Sequence, residues 1–169
     1  TRETGSLGAE RVMIGDSVGR VLAEPVVADT DLPPFARSQM DGFAVVAKDT
    51  LKAPVTLNLV GESAAGRGWH KTMRRGQAVR IMTGAPVPAG ADAVVKVELT
   101  SGSETEVAIL ESVKNDSAIV RKGSEIKKGR VVITQGSLIT ANNIATLAAF
   151  GYAKVKVGKR PQVGILGTG

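Results

Sequence analysis

The chain has 169 residues, 43% of them hydrophobic and 22% charged, with a net charge of +6 from 22 basic and 16 acidic side chains. That composition belongs to a globular protein able to build a core, long enough for one domain or two small ones. No apolar run approaches the ~20 residues of a membrane span, and the complete lack of cysteine removes disulfides and thiolate chemistry, which fits the cytoplasm.

Thr1–Arg11 is polar and contains glycine, unlike a signal peptide. Asp16 is placed to cap a short helix through Ala23, with Val18, Val21 and Leu22 at i, i+3 and i+4 and Pro25 ending it. Val26–Ala28 reads as extended. The stretch Leu32–Val46, LPPFARSQMDGFAVV, then opens with two prolines that fix φ and exclude the α region before them. Ser38–Gly42 makes a polar turn in which Gly42 would supply any left-handed geometry. Phe43–Val46 leaves the turn as a strand. Asp41 is thus held between a stiff arm and a glycine. On the residues alone this is either a presented site carboxylate or an ordinary Asp-Gly turn, and the ordinary turn is the commoner case.

Val55–Val60 alternates apolar and polar residues, the pattern of a half-buried strand. A basic, glycine-rich loop follows over residues 64–75. Arg80–Met82 reads as a strand running into a Thr83-Gly84 turn, stiffened at its exit by Pro86 and Pro88. Ala93–Leu99 is a further strand, and Ser101–Ser103 a turn. Glu106–Leu110 is the return strand of a hairpin, and Ala118–Arg121 a short strand. Val131–Ile133 and Ser137–Ile139 flank Gln135-Gly136 as a second hairpin. Thr140 caps a helix over Ala141–Phe150 with Gly151 at its C′ position. Ala153, Val155 and Val157 alternate with lysines as a strand with one wet face. Val163–Leu166 is a continuous apolar run before the turn Gly167–Gly169, as in a buried parallel strand that feeds the helix of an α/β unit.

Composition switches near Ala28 from helix-and-strand to strand-and-turn, and back near Gly129. The expected fold is therefore α+β, mostly β. Residues 1–27 and 129–159 form a small, discontinuous, helix-containing linker domain, and residues 28–128 form an inserted all-β domain. Residues 160–169 read either as the first strand of a further domain, at which the chain is cut, or as an edge strand ending a complete protein.

The residues exclude several chemistries. The single His70, with no cysteine, cannot build a nitrogen/sulfur zinc site, and the sequence marks no Ser-His-Asp set around it, so nucleophilic hydrolysis is disfavoured. Gly66-Arg67-Gly68 is too short for a phosphate loop and lacks the Lys-Ser/Thr pair. A positive balance suits nucleic acid, an anionic membrane surface or a phosphorylated substrate. However, the basic residues are scattered through loops and aromatics are only 3% of the chain, so stacking platforms for a single strand are few. No nucleic-acid or membrane partner is expected.

Two long motifs, SQMDGFAV at residues 38–45 and RIMTGAPVPAGADAVV at residues 80–95, closely resemble the molybdopterin molybdotransferases. These are the molybdenum insertases of molybdenum-cofactor synthesis, to which the gephyrin E-domain is related. The resemblance covers about Arg11 to Gly169. It implies a cytoplasmic transferase that inserts molybdate into adenylylated molybdopterin with release of AMP. It further implies magnesium dependence and a homodimer whose site is completed in trans. Asp41 and Thr83 are then catalytic residues lining the cleft. The carboxylate would orient water or relay a proton, while the Thr83 hydroxyl and adjacent backbone N–H groups would hold an anionic oxygen. Ser38, Gly42, Gly84 and Glu125 are then substrate-binding. Glu125 stands where the family usually has an aspartate, one methylene shorter. Residues 160–169 become the start of the pterin-binding α/β domain, with the molybdate and magnesium ligands mostly downstream of Gly169 and no metal ligand in this chain. The chain is expected to be an amino-terminal fragment, inactive alone. The rival expectation is a structural, dimerising module of a gephyrin-like scaffold.

Overall fold

The computed structural model describes residue 5 and residues 7–167. Most of the polar amino-terminal stretch before Leu7, and Thr168 and Gly169 of the expected terminal turn, lie outside the described residues. In chain order the strands are β1 (Ala9–Met13), β2 (Val26–Val27), β3 (Arg37–Ser38), β4 (Gly42–Val45), β5 (Val55–Ser63) and β6 (Gln77–Ile81). They continue as β7 (Ala93–Lys96), β8 (Thr100–Gly102), β9 (Glu106–Ile109), β10 (Ile119–Val120) and β11 (Val131–Ile133). Helix α1 (Ala141–Ala149) and β12 (Lys154–Gly158) follow. The fold is α+β and mostly β. Among the described residues no helix is long and apolar enough to cross a membrane.

The chain divides into two compact units, Thr1–Thr30 with Lys127–Gly169, and Asp31–Ile126. In the first, β1 pairs antiparallel with β12 and β2 with β11. Helix α1 forms where its end signals stand. The Asn143 Oδ1 accepts both the Thr140 N–H and its hydroxyl at 2.9 Å, and Gly151 closes the end at φ 72°. Its buried Leu147 packs with Leu22, Val26, Ile133, Ile139, Val155 and Val157. Complete burial of one such side chain contributes roughly 2 kcal/mol.

Three expectations for this unit fail. No helix runs from Asp16 to Ala23; Ile14–Asp16 is a single 3-10 turn. Gly19 then takes φ 76°, and Val21 and Leu22 make bridges to Leu138 and Val157. Arg20, only 9% exposed, ties the segment to Glu10 at 2.5 Å and to the Gly158 carbonyl at 2.6 Å. Sheet partners and a buried guanidinium thus override a weak helical period rich in β-branched residues. The turn at Gln135-Gly136 forms, but its arms do not pair with each other. Val131–Ile133 pairs with β2, and Ser137 and Leu138 with Val21 and Leu22. Residues 160–167 carry no strand, and Val163, Ile165 and Leu166 are 78–93% exposed. A parallel strand needs neighbours to take its backbone groups, and no described strand lies beside this run.

The second unit is built on a six-stranded sheet ordered β7-β4-β6-β5-β9-β8. The first and last strands of that order, β7 and β8, are consecutive in the chain and joined by one 3-10 turn, Val97–Leu99, so the sheet curls back on itself. This is why the expected strand Ala93–Leu99 stops at Lys96: the chain must leave one sheet edge to begin the other. The hairpin partner of β9 is accordingly β8, with its turn at residues 103–105. All pairs are antiparallel except β5 with β6. A parallel neighbour needs a crossover of about a dozen residues, and the basic glycine-rich loop between Ser63 and Gln77 supplies it.

The inner face buries Phe43, Val45, Leu57, Ala78, Ala93, Val95, Val107 and Ile109. The outer face of the same strands, with Ala44, Val79, Ile81 and Val94, is covered by Met73, Trp69 and Ala85. Burial on both sides explains why β4, and β7 up to Lys96, read as continuous apolar runs rather than alternating ones.

Candidate functional site

Both motifs place a turn at one end of this sheet, where β4 begins and β6 ends. The first turn follows β3. Ser38 is buried, and its Oγ donates to the Met40 carbonyl at 2.6 Å and accepts the Met40 N–H at 3.3 Å. The second is a four-residue turn, Met82–Ala85, closed by the Ala85 N–H on the Met82 carbonyl. Gly84 has φ 79° at its third position, where a type II turn requires a positive value. The two turns interlock: Ser38 N–H donates to the Ala85 carbonyl at 3.0 Å, and Gly84 N–H donates to the Ser38 carbonyl at 2.9 Å.

The side chains join across this seam. Asp41 Oδ1 accepts the Thr83 backbone N–H at 2.7 Å and the Thr83 hydroxyl at 2.8 Å. The Asp41 carbonyl accepts the Val97 N–H at 3.2 Å, which continues the β4–β7 ladder by one residue. Asp41 and Thr83 are both exposed. The Thr83 N–H, then its hydroxyl, hold the Asp41 carboxyl below the usual aspartate range against an opposing effect of burial, and the charge of Arg80 adds a smaller pull in the same direction. Asp41 is therefore an ionised acceptor at neutral pH. One oxygen is occupied, and Oδ2 makes no hydrogen bond to a described residue.

The structure brings Ser38, Asp41, Gly42, Thr83 and Gly84 together, and it revises what several of them do. Gly42 is not in the left-handed region. Its requirement is close approach: a Cβ there would lie 1.9 Å from the Val95 carbonyl oxygen. The Ser38 hydroxyl is spent inside its own turn. The backbone N–H groups of the Thr-Gly turn are also spent, so the expected amide cradle for an anion does not form. Met82 donates to Ser63, Thr83 to Asp41, Gly84 to Ser38 and Ala85 to Met82. Glu125 makes no hydrogen bond to the pair. It accepts from Arg37 at 3.4 Å, and its own N–H donates to the Leu32 carbonyl.

One residue of the second motif, Arg80, received no role from the sequence. It sits across β4 opposite Phe43 and beside Glu62 of β5, with a guanidinium-to-carboxylate distance of 3.9 Å. Its signal was present: a charge inside an otherwise apolar strand. Among the described residues no group of three or more His, Cys, Asp or Glu side chains is arranged to hold a metal ion.

Residues 2–151 match the family model described as the MoeA N-terminal region, domains I and II. Similar curated proteins include a molybdopterin molybdenumtransferase of Bacillus subtilis, 44% identical over 168 residues, covering 95% of this chain and 39% of that protein. Another is a molybdopterin molybdenumtransferase of Staphylococcus epidermidis, 41% identical, covering 94% of this chain and 39% of that protein. Among solved structures, the molybdopterin biosynthesis MoeA protein of Pyrococcus horikosii superposes with a TM-score of 0.86 at 36% identity, over 92% of this chain and 41% of that one. The chain thus spans about two fifths of the length of the relatives it matches. With the family model covering nearly all of the described residues and the two interlocked turns falling within it, the chain belongs to the MoeA N-terminal region family.

Proposed function

We propose that this chain supplies the Asp41–Thr83 part of a site at which molybdate is inserted into adenylylated molybdopterin, with release of AMP. The relatives named as molybdopterin molybdenumtransferases support the reaction class. The observation that carries the residue assignment is the Asp41 carboxylate, fixed through one oxygen by two Thr83 bonds and presented to solvent through the other.

The geometry selects between the roles open to that carboxylate. A general base works best with a pKa near the operating pH. Asp41 is held below the ordinary aspartate range, far from neutrality, so it is a poor proton acceptor. It is a good hydrogen-bond acceptor, and it orients the water that adds across the phosphoanhydride. Thr83 fixes the rotamer, donating through both N–H and hydroxyl. Its role is to position Asp41 rather than to bind an anion.

The proposal extends to a cytoplasmic homodimer with the site completed in trans, and to magnesium dependence. The described residues do not fit a magnesium site by themselves, since they form no carboxylate cluster. On this reading the metal and molybdate ligands come from the rest of the enzyme, and the chain alone releases no AMP. No nucleic acid and no membrane takes part.

Complementation in the full-length enzyme tests this. An Asp41→Asn subunit is combined with a subunit disabled outside the residues of this chain, each inactive as a homodimer. If the site is shared between subunits, the mixed dimer holds one intact site and AMP release returns. If each site lies within one subunit, no activity returns. If the unmodified full-length enzyme releases no molybdate-dependent AMP, the reaction assignment itself falls.

A further inference from the structure

The interlocked turns leave a chemical gap. The reaction proposed above brings a negatively charged phosphoanhydride up to an ionised Asp41, yet every backbone N–H of the Thr-Gly turn is already donated within the protein. Within this chain, the candidates for a positive counterpart are the side chains on the face where Asp41 stands. Side chains alternate along a strand, and Phe43 and Val45 point to the inner face, so Asp41, two residues before Phe43, shares that face. Arg80 lies directly opposite Phe43 across the β4–β6 pair and therefore points the same way. Asp41 and Arg80 are thus diagonal neighbours, at the roughly 7–8 Å Cα separation that long side chains bridge.

Only one other cation stands on the six strands of this sheet, Lys96 at the end of β7. It pairs opposite Gly42, whose other partner is Ile81 of the outer-face cluster, so it stands on the opposite face from Asp41. Arg80 is also lightly committed. Its side chain is 54% exposed, and its guanidinium makes no hydrogen bond to a described residue. Its ion pair with Glu62, in register on β5, is stretched to 3.9 Å. Asp41, Arg80 and Glu62 form a carboxylate–guanidinium–carboxylate row across β4, β6 and β5. Beside Arg80 and Glu62 a depression of about 390 Å³ is lined further by Leu59, Gly61, Ser103 and Glu104. The same arrangement accounts for the part of the Asp41 acidity that comes from Arg80.

We propose that Arg80 is the anion-binding residue of this site, giving its free guanidinium N–H groups to the phosphate oxygens of the substrate beside Asp41, with Glu62 as its partner when no substrate is present. A planar guanidinium offers two parallel N–H donors to one phosphate, and a lysine in its place offers only a point charge. This assignment rests on the reaction proposed above for its substrate, but its test separates the two.

In the full-length enzyme, Arg80→Ala is expected to raise the KM for adenylylated molybdopterin tenfold to hundredfold, the rough size of a lost hydrogen bond to a charged group. Arg80→Lys should recover part of that, and kcat should change less than KM. Glu62→Gln is the structural control. If Arg80 serves only to pair with Glu62, the two variants behave alike; if it binds substrate, Glu62→Gln leaves KM level or lowers it. Calorimetric titration with pyrophosphate gives a readout that needs no turnover, and binding should weaken about tenfold or more in Arg80→Ala. Equal pyrophosphate binding in both proteins, or none in either, overturns the assignment, as does a KM within twofold of the unmodified enzyme. Absence of AMP release from the unmodified enzyme would remove the reaction while the pyrophosphate titration still decides on Arg80.

Discussion

At one end of the β4–β6 pair stands Asp49, and at the other stands Asp41. Asp49 lies in the 3-10 turn after β4, with a side chain only 8% exposed. Both its oxygens are used: Oδ1 accepts the Arg75 Nε–H and Oδ2 the Gly76 N–H, each at 2.7 Å, which clamps the approach to β6. Asp41 clamps the other end of the same two strands through Oδ1 alone and is exposed. Both carboxylates bridge the same pair of strands. The nearly buried one has both oxygens engaged within the fold; the exposed one leaves an oxygen with no hydrogen bond to a described residue. The role proposed for Asp41 rests on that spare oxygen rather than on the Asp-Gly dipeptide.

The largest expected effect falls on the backbone that presents Asp41. In Gly42→Ala the new Cβ would meet the Val95 carbonyl oxygen at 1.9 Å and its carbon at 2.9 Å, and both are backbone atoms of β7. Overpacking of this kind costs typically 1–3 kcal/mol, and a contact with backbone belongs at about 3. A urea midpoint equal to that of the unmodified protein would mean that β4 and β7 are not so close. The next effect sharpens the contrast itself. Asp49→Ala removes two hydrogen bonds whose donors, on the exposed Arg75 and Gly76, turn to water, and should cost about 1 kcal/mol by urea unfolding. Asp41→Asn retains an oxygen that accepts from Thr83 and loses only the charge of an exposed group, so the midpoint should move less than in Asp49→Ala while turnover of the full-length enzyme collapses. If Asp41→Asn unfolds as early as Asp49→Ala, the two ends do the same work and the comparison fails.

Much of this was open to reading in the sequence, in proportion to how local its cause was. Helix α1 carries its own end signals at Thr140, Asn143 and Gly151, and it forms where they stand. β5 shows its alternation and extends three residues further than expected, to Ser63. The motifs around Asp41 and Thr83 were visible as turns, but the bonds between them join residues 42 positions apart, which no local pattern encodes. The same holds for Gly42, whose constraint comes from a strand more than 50 residues downstream. At Asp16–Ala23 a helical period was present, but β-branched residues with sheet partners on offer took bridges instead. Arg80 was missed because a charge in an apolar strand has meaning only once the register shows which neighbours share its face.

The smallest effect tests the seam directly. Thr83 makes two bonds to Asp41, and the backbone one contributes more to holding the carboxyl acidic than the hydroxyl does. Thr83→Val removes the hydroxyl and keeps the N–H. The Asp41 carboxyl, followed by carbon-detected NMR, should therefore titrate at higher pH than in the unmodified protein, yet still below an ordinary aspartate. Thr83→Ser, which keeps the hydroxyl, should leave it unchanged. The sign carries to stability. A carboxyl more acidic in the folded than in the unfolded chain stabilises the fold above the unfolded pKa, and this contribution is lost as pH falls through the folded value. The Thr83→Val difference should accordingly be fully present at neutral pH and shrink on acidification below the ordinary aspartate range. Because Asp41 stays ionised throughout the neutral range, any change in turnover between mildly acidic and mildly basic pH must come from another group. An Asp41 titration identical in the Thr83→Val and unmodified proteins would show that the hydroxyl bond is absent in solution. Asp41 would then hang on a single backbone donor, with its side chain free to rotate away from the seam.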